Sequence, residues 1–213
     1  MSVPKTTVAP RVLPEGFALP ASARARCIRC RMRADFCICP WLPTFDLATR
    51  IVVVMHHKEQ IKSSATAPLA LSCLTNRALL VHGLREAPLD LTELHRPNRR
   101  LFLLFPSDDA APLTRALVNE DPRPVTLVVP DGNWRQASTM RRRIPGLDVA
   151  LPVKLPFGDR TRWGLRFEHR DDGLATFEAI ARALGILESK SVQTRMEAVF
   201  DLMVKTSRVA RGR

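Results

Sequence analysis

Four of the five cysteines lie close together near the start of the chain, as Cys27-x-x-Cys30 and Cys37-x-Cys39. Such paired spacings suit tetrahedral zinc, because each pair of thiolates can bind the ion from a tight turn. The segment is too short for its own hydrophobic core, so we expect a structural zinc ion to hold it together. A disulfide pairing is the alternative, which a reducing cytoplasm disfavours. Cys73 lies in an apolar helical pattern and is expected to be a small core residue.

A second group of residues suited to chemistry stands in the run Pro130-Asp131-Gly132-Asn133-Trp134. The run brings a carboxylate, a flexible glycine and a large aromatic ring into one loop. Spacing alone favours Asp131 as the N-cap of a following helix, with Trp134 packed beneath that helix. The run follows an apolar segment, however, and ligands bind beyond the carboxyl ends of parallel strands. This position favours a functional role.

Two further apolar runs are followed by polar residues. Adjacent His56 and His57 would point to opposite sides of a strand, which makes them a poor bidentate metal site. Ser107 follows another run, and Asp108 with Asp109 is consistent with ordinary solvated loop charge. The sequence contains no GxGxxG, P-loop or GxSxG motif, which argues against a nicotinamide enzyme, an NTPase and a typical serine hydrolase.

The elements that must position these residues follow from the apolar pattern. Near-continuous apolar runs predict buried strands over 51–55, 101–105 and 125–129, with weaker candidates over 79–81 and 149–153. Helical spacing predicts helices over 66–73, 112–119 and Trp134–Arg143, and two more over roughly 174–187 and 192–203. Strands that alternate with helices predict an α/β domain with a mostly parallel sheet.

The charge of the chain indicates its partner. The 213 residues include 33 Lys and Arg against 21 Asp and Glu, a formal net charge of +12. Most of the basic residues are arginines, whose planar guanidinium grips phosphate and stacks on bases. A run of arginines can be only a solvated face, but the surplus makes nucleic acid the first partner to expect.

The chain also lacks features of membrane and secreted proteins. No apolar stretch approaches the ~20 residues that a membrane-spanning helix needs. The N-terminus lacks the apolar core of a secretory signal. We therefore expect a cytoplasmic protein without a membrane partner.

Taken in order, five segments resemble the DTW-domain family, and in particular its bacterial tRNA-uridine aminocarboxypropyltransferases. The resemblance runs from about Cys27 to Lys205. It implies a Rossmann-like α/β core similar to the SPOUT superfamily, with a C-terminal knot, which is a rare exception to the usual topological rules. The five segments are the CxxC…CxC cluster, MHHKEQIKSSATAPLA, LFLLFPSDDA, LVVPDGNWRQASTM and GLATFEAIARAL.

The sequence departs from the family pattern at three positions. Asn133 stands where a Thr usually precedes Trp134, and it can still donate and accept a hydrogen bond. Ala65 stands in place of an Asn, and Ala175 in place of a Ser. Those two replacements remove polar side chains.

The resemblance implies transfer of the 3-amino-3-carboxypropyl group of S-adenosylmethionine to N3 of a uridine in tRNA, with release of 5′-methylthioadenosine. Asp131 would act as the general base or orient N3, and Trp134 would stack on the uridine or shape its pocket. Cofactor contacts are expected at Thr66, Ser107, Pro130, Leu155 and Arg166. RNA contacts are expected at Arg29, Arg31, Arg33, Arg135, Arg141, Arg142 and Arg143.

The expected organisation is a flexible arm over 1–23, a zinc-binding segment over 24–45, a catalytic domain over 46–206 and a basic tail over 207–213. Two other functions stay open at this point. A SPOUT-type RNA methyltransferase would use the same cofactor but transfer its methyl group. A non-enzymatic, zinc-stapled RNA-binding protein would use only the basic surface.

Overall fold

A parallel β-sheet runs through the part of the chain that the computed structural model describes, namely residues 26–62, 64–84, 89–158, 161–163 and 173–210. Its strands are β1 (Arg50–His56), β2 (Arg77–His82), β3 (Arg100–Leu104), β4 (Ala111–Pro112), β5 (Val125–Asp131) and β6 (Leu151–Lys154). They stand in the order β2, β1, β5, β3, β6, β4, and each neighbouring pair is parallel. The predicted α/β class with a parallel sheet is confirmed.

Strand β1 shows why the sheet was visible in the sequence. Its residues Ile51, Val53 and Met55 point into one hydrophobic core, while Val52 and Val54 point into a second core on the other face. Each of the five is at most 1% exposed. A strand covered on both faces needs apolar side chains at every position, so it reads as a continuous apolar run.

Helices cover both faces of the sheet. The helices are α1 (Ala67–Ser72), α2 (Arg115–Asn119), α3 (Trp134–Arg143), α4 (Thr176–Leu187) and α5 (Lys190–Val209). Buried apolar residues of α1, α4 and α5 belong to the first core, and Met140 of α3 belongs to the second. The rings of Phe177 and Phe200 join α4 to α5, with centroids 5.4 Å apart. Both side chains are fully buried, which stabilises the fold by about 1.5–3 kcal/mol each.

The cysteine segment packs onto the first core. Cys30, Met32 and Ile38 are buried in the same cluster as α4 and α5. The hydroxyl of Ser207, near the end of α5, donates to the sulfur of Met32 at 3.5 Å. The cysteine segment is too short to form a hydrophobic core of its own, and it packs instead into the core that contains α4 and α5.

The predicted helix over 112–119 is wrong at its start. Pro112 belongs to the short edge strand β4, where a residue without an N–H is tolerated. The helix begins at Arg115, because the side chain of Thr114 accepts a hydrogen bond from the backbone N–H of Leu117 and caps it. The edge strand itself pairs with β6, where Pro112 lies opposite Lys154. A pairing of two residues leaves no periodic signal in a sequence.

Several sequence predictions fall outside the described residues: the arm over 1–23, Arg166 and the last three residues of the basic tail. Among the residues that are described, no helix is both long enough and apolar enough to cross a membrane.

Candidate functional site

A cavity of about 660 Å³ opens at the carboxyl ends of the central strands. Its walls come from segments 104–106 after β3, 129–134 at the end of β5, 154–158 after β6 and 174–176 at the start of α4. This volume falls within the range of about 300–1,000 Å³ that is typical of small-molecule sites. The location is the one at which parallel α/β sheets bind their ligands.

Asp131 is the last residue of β5 and lies in the wall of this cavity. In the sheet register it stands opposite Met55 of β1, and it is only 6% exposed. Its Oδ1 accepts a hydrogen bond of 2.5 Å from the hydroxyl of Thr176, the first residue of α4. A helix N-terminus favours nearby negative charge. The carboxylate is therefore fixed in position and electrostatically supported.

The expectation that Asp131 caps the following helix is wrong. The N-cap of α3 is Asn133, whose side-chain oxygen accepts from the N–H of Gln136 at 2.9 Å. Gln136 in turn accepts from the N–H of Asn133 at 2.8 Å, which completes a capping box. A Cβ at Gly132 would lie 3.0 Å from Gln136, so this tight turn favours glycine. Because Asn133 caps the helix, Asp131 is not needed for capping and can face the cavity.

Trp134 begins α3 and also lines the cavity. Its ring is half-buried and stands 5.9 Å from the ring of Phe105, measured between centroids, at a tilt of 55°. The packing interpretation and the functional one are thus compatible. One part of the ring packs on the residue after β3, and the side chain also borders the cavity.

The structure brings three of the predicted cofactor contacts to the cavity. Thr66, Pro130 and Leu155 line it. The hydroxyl oxygen of Thr66 accepts from the N–H of Phe177 at 3.1 Å, which ties the start of α1 to the start of α4. Ser107 is not among the lining residues, although it follows β3 in the chain.

Sequence reasoning missed several residues of the site. Thr176 holds the carboxylate of Asp131, and Glu178 is a buried carboxylate at the base of α4. Lys154, Phe157 and Arg182 also line the cavity. A glutamate three residues after the N-cap position of a predicted helix is a capping signal, which could have singled out Glu178. Lys154, Arg182 and Phe157 belong to no capping pattern or other motif that could have identified them in the sequence.

The cationic side chains of the cavity differ in their pairing. Lys62 forms an ion pair of 2.5 Å with Glu59, a glutamate that is 1% exposed. Lys154 and Arg182 form no ion pair with any described residue. Among the described residues that line it, the cavity therefore combines the carboxylate of Asp131 with cations suited to an anionic group.

The four clustered cysteines converge as the sequence predicts. Their sulfur atoms all lie within 4.8 Å of one another. The sulfurs of Cys27 and Cys39 are 3.5 Å apart, and those of Cys30 and Cys37 are 3.7 Å apart. A tetrahedron with metal–sulfur bonds of about 2.3 Å places its sulfurs about 3.8 Å apart. The donor set thus fits a tetrahedral metal ion.

Thiol chemistry separates this cluster from the fifth cysteine. All five thiols are free, so no disulfide forms among them. Cys73 is completely buried in the core, and burial raises the pKa of its thiol to about 12. A thiol with so high a pKa is not nucleophilic at neutral pH. The prediction that Cys73 is a core residue is confirmed.

The arginines assigned to RNA divide by their contacts. Arg31 donates to the carbonyl of Gln60, which joins the cysteine segment to a turn beside the cavity. Arg33 forms an ion pair within its own turn, and Arg141 pairs with Asp109. The predicted solvated charge of Asp109 is therefore partly neutralised. The exposed members of the set are Arg29, Arg135, Arg142 and Arg143.

Three curated proteins that are similar to this chain share one name. The chain is 29% identical over 178 residues to tRNA-uridine aminocarboxypropyltransferase 2 of Macaca fascicularis, covering 81% of this chain and 59% of that protein. It is 27% identical over 177 residues to the Mus musculus protein of the same name, covering 80% and 59%. The Drosophila melanogaster protein of that name is 29% identical over 177 residues, covering 80% and 70%.

The chain thus spans about six tenths of the length of the two mammalian relatives. No solved structure gives a significant match. The model of the DTW domain matches residues 24–208, which include the cysteine cluster, the cavity and both C-terminal helices. Because that match covers most of its length, this chain belongs to the DTW domain family.

Proposed function

We propose that this chain is a tRNA-uridine aminocarboxypropyltransferase that uses S-adenosylmethionine as its donor. The observation that carries the proposal is the placement of Asp131 and Trp134 in one wall of a 660 Å³ cavity, in a chain of the DTW family. Three curated relatives with this name support it. The surplus of basic residues suits a polyanionic substrate such as tRNA.

The reaction joins N3 of the uridine to the terminal carbon of the 3-amino-3-carboxypropyl group. The bond from that carbon to the sulfonium breaks, and its electron pair goes to sulfur as 5′-methylthioadenosine leaves. The proton on N3 must pass to a base. The sulfonium supplies a good leaving group, so the protein has mainly to position the partners and to remove one proton.

Among the described residues that line the cavity, Asp131 is the one suited to take that proton. The residue is 6% exposed, and the hydrogen bond from the Thr176 hydroxyl orients its carboxylate. Trp134 offers a ring on which the uridine stacks. Thr66, Pro130 and Leu155 would contact the donor, with Ser107 and Arg166 as further expected contacts; Arg166 would pair with a carboxylate or a phosphate.

A zinc ion bound by the four clustered cysteines is the structural part of the proposal. The sulfur separations fit its tetrahedral geometry, and a set of four thiolates leaves no open position for catalysis. Its role is to hold the segment against the core. Metal analysis of purified, reduced protein should give about one zinc per chain, because four thiolates fill one site. Folded protein without metal would reject this assignment.

The RNA surface is proposed to include the exposed arginines of the cysteine segment and of α3. Arg29 lies in the first, and Arg135, Arg142 and Arg143 lie in the second. Each phosphate neutralised on binding releases counterions, so affinity should fall steeply with salt. Arg31, Arg33 and Arg141 would have to exchange protein contacts for phosphate.

The C-terminal knot implied by the SPOUT resemblance and a cytoplasmic location also belong to the proposal. The connection between β6 and α4 includes residues 159, 160 and 164–172, which lie outside the described residues. A crystal structure that traces this connection tests the knot. A cytoplasmic location agrees with a tRNA substrate and with thiols that stay reduced.

The decisive experiment is mass spectrometry of nucleosides from tRNA incubated with the protein and S-adenosylmethionine. A uridine that gains an aminocarboxypropyl group, together with methylthioadenosine, supports the proposal. A methylated nucleoside with S-adenosylhomocysteine would show a methyltransferase instead. Unchanged nucleosides despite tight tRNA binding would favour a non-enzymatic RNA-binding protein.

Two matched variants test the role of Asp131. Asp131→Asn keeps the shape but removes the base, so kcat should fall by about 10²–10⁴-fold while tRNA binding persists. Asp46→Asn is the control, because Asp46 also accepts a threonine hydroxyl, that of Thr75 at 2.7 Å, but outside the cavity. Full activity of Asp131→Asn would exclude the base assignment.

A further inference from the structure

Phe157 lies on the rim of the cavity, in the loop that follows β6, and it is 93% exposed. Exposing an aromatic ring of this size to water forgoes the stabilisation that burial would provide. Single exposed apolar residues are common on protein surfaces, so exposure alone assigns no role. The position at the mouth of a ligand-sized cavity is what sets this residue apart.

Two cations line the same cavity as Phe157. Lys154, the last residue of β6, lies three positions before Phe157 and lines the same cavity. The guanidinium of Arg182 on α4 lies 3.4 Å from the point that a Cβ at Gly158 would occupy, so it borders the residue next to Phe157. Neither cation forms an ion pair with a described residue.

An exposed ring and two cations that line one cavity have the chemistry of a nucleotide site. Aromatic rings stack on bases of any sequence, and Lys and Arg bind the phosphates between them. A flat lipid surface fits less well, because the ring borders a concave cavity whose wall carries the carboxylate of Asp131. A nucleotide chain that delivers one base into the cavity would pass over this rim.

We propose that Phe157, Lys154 and Arg182 form a subsite for a nucleotide adjacent to the target uridine. Its base stacks on the ring of Phe157, and its phosphate lies near the two cations. This inference rests on the proposed function, because it takes the target uridine to enter the cavity. A stacked base must first leave its helical neighbours, so the subsite selects loops and single strands over paired RNA.

The test is a titration of fluorescently labelled, unmodified tRNA transcript with the full chain and its variants. Phe157→Ala should raise the Kd by about 5- to 100-fold, the effect of losing one base–aromatic stack. Phe157→Trp should keep the affinity, because its ring also stacks. Val149→Ala is the control, since Val149 is 69% exposed but does not line the cavity. A Phe157→Ala Kd within about two-fold of the parent value overturns the subsite.

Salt dependence tests the cations separately. The slope of log Kd against log salt rises with the number of phosphate contacts. Lys154→Gln and Arg182→Gln should each lower that slope by about one unit, the contribution of one phosphate contact. Unchanged slopes in both variants would remove the phosphate part of the subsite. A fully paired RNA duplex should bind the parent and Phe157→Ala equally, and a loss of duplex affinity in Phe157→Ala would contradict stacking.

Two further measurements separate this inference from the proposed function. Calorimetry with S-adenosylmethionine should give the same Kd for the parent and Phe157→Ala; weaker donor binding with unchanged tRNA binding would assign the ring to the donor and overturn the subsite. Nucleoside mass spectrometry of the parent tests the transfer itself. If no transfer occurs but tRNA affinity depends on Phe157, the proposed reaction fails, and Phe157 still contacts a nucleotide of the bound tRNA. If transfer occurs but tRNA affinity does not depend on Phe157, the proposed reaction stands and the subsite fails.

Discussion

Glu178 of α4 offers a sharp test of how the cavity is held together. It is 2% exposed, and its carboxylate accepts hydrogen bonds from three groups. One oxygen accepts from the N–H of Arg162 at 2.9 Å. The other accepts from the N–H of Ala175 at 3.1 Å and from the hydroxyl of Thr161. The carboxylate thus fastens residues 161–163 to the helix that also carries Thr176.

The substitution Glu178→Gln measures this fastening. The amide keeps one oxygen that can accept a hydrogen bond. Its NH2 group takes the place of the second oxygen and cannot accept from the group that donated there. A hydrogen bond to a charged group contributes about 1.5–3 kcal/mol, and at least one is lost. Removing a buried charge returns part of its desolvation cost. We therefore expect the free energy of unfolding to fall by about 2 kcal/mol, which corresponds to a Tm lower by about 4–8 °C for a chain of this size.

Thermal and denaturant unfolding followed by circular dichroism measure the loss. Asp201→Asn is the control, because Asp201 forms an ion pair of 2.9 Å with the guanidinium of Arg162. Both side chains of that pair are about half exposed, so the pair should contribute no more than about 1 kcal/mol. If Glu178→Gln destabilises the protein no more than Asp201→Asn does, the reasoning from the buried hydrogen bonds is refuted.

Three other predictions concern helix caps and pH. Asn133→Ala should cost about 0.5–2 kcal/mol of stability in denaturant unfolding, whereas Asn133→Thr should keep most of the cap; equal losses would contradict the capping role. Ala175→Ser should raise stability by about 0.5–1 kcal/mol, because α4 has no side-chain acceptor at its N-cap; an unchanged Tm would show that the cap does not form. Burial, and then the nearby His57, lowers the pKa of both His56 and His82 from 6.5. As pH falls towards and below about 6.5, the unfolded chain therefore binds more protons than the folded chain does, so Tm should drop between about pH 7.5 and 5.5. His82→Gln should reduce that drop in Tm. An equal drop in the variant would refute the prediction.

The strands of the sheet were predictable because burial on both faces imposes apolar residues at consecutive positions. The runs at 51–55 and 125–129 lie within β1 and β5. The start of α2 was not predictable from apolar spacing, since the Thr114 cap and the pairing of Pro112 with β6 decide it. Such contacts depend on residues distant in the chain.

The roles within the Asp131–Trp134 loop show a similar division. Spacing alone favoured Asp131 as a cap, and the structure gives that role to Asn133 through a capping box. Since a cap needs a side-chain oxygen that accepts from the helix N-terminus, a Thr at position 133 could serve the same purpose. This explains how Asn133 can replace the family's usual Thr without loss of the turn.

The sequence by itself determined the cysteine cluster, the parallel α/β class and the identity of the carboxylate beside an aromatic ring. These features reside in local spacing and in composition, which a linear chain displays directly. Only the tertiary structure decided that Thr176 would hold Asp131 and that Phe157 and Arg182 would line one cavity. The strand order β2, β1, β5, β3, β6, β4 brings these distant segments to one edge of the sheet. That order depends on pairing across the whole chain, so no single segment carries it.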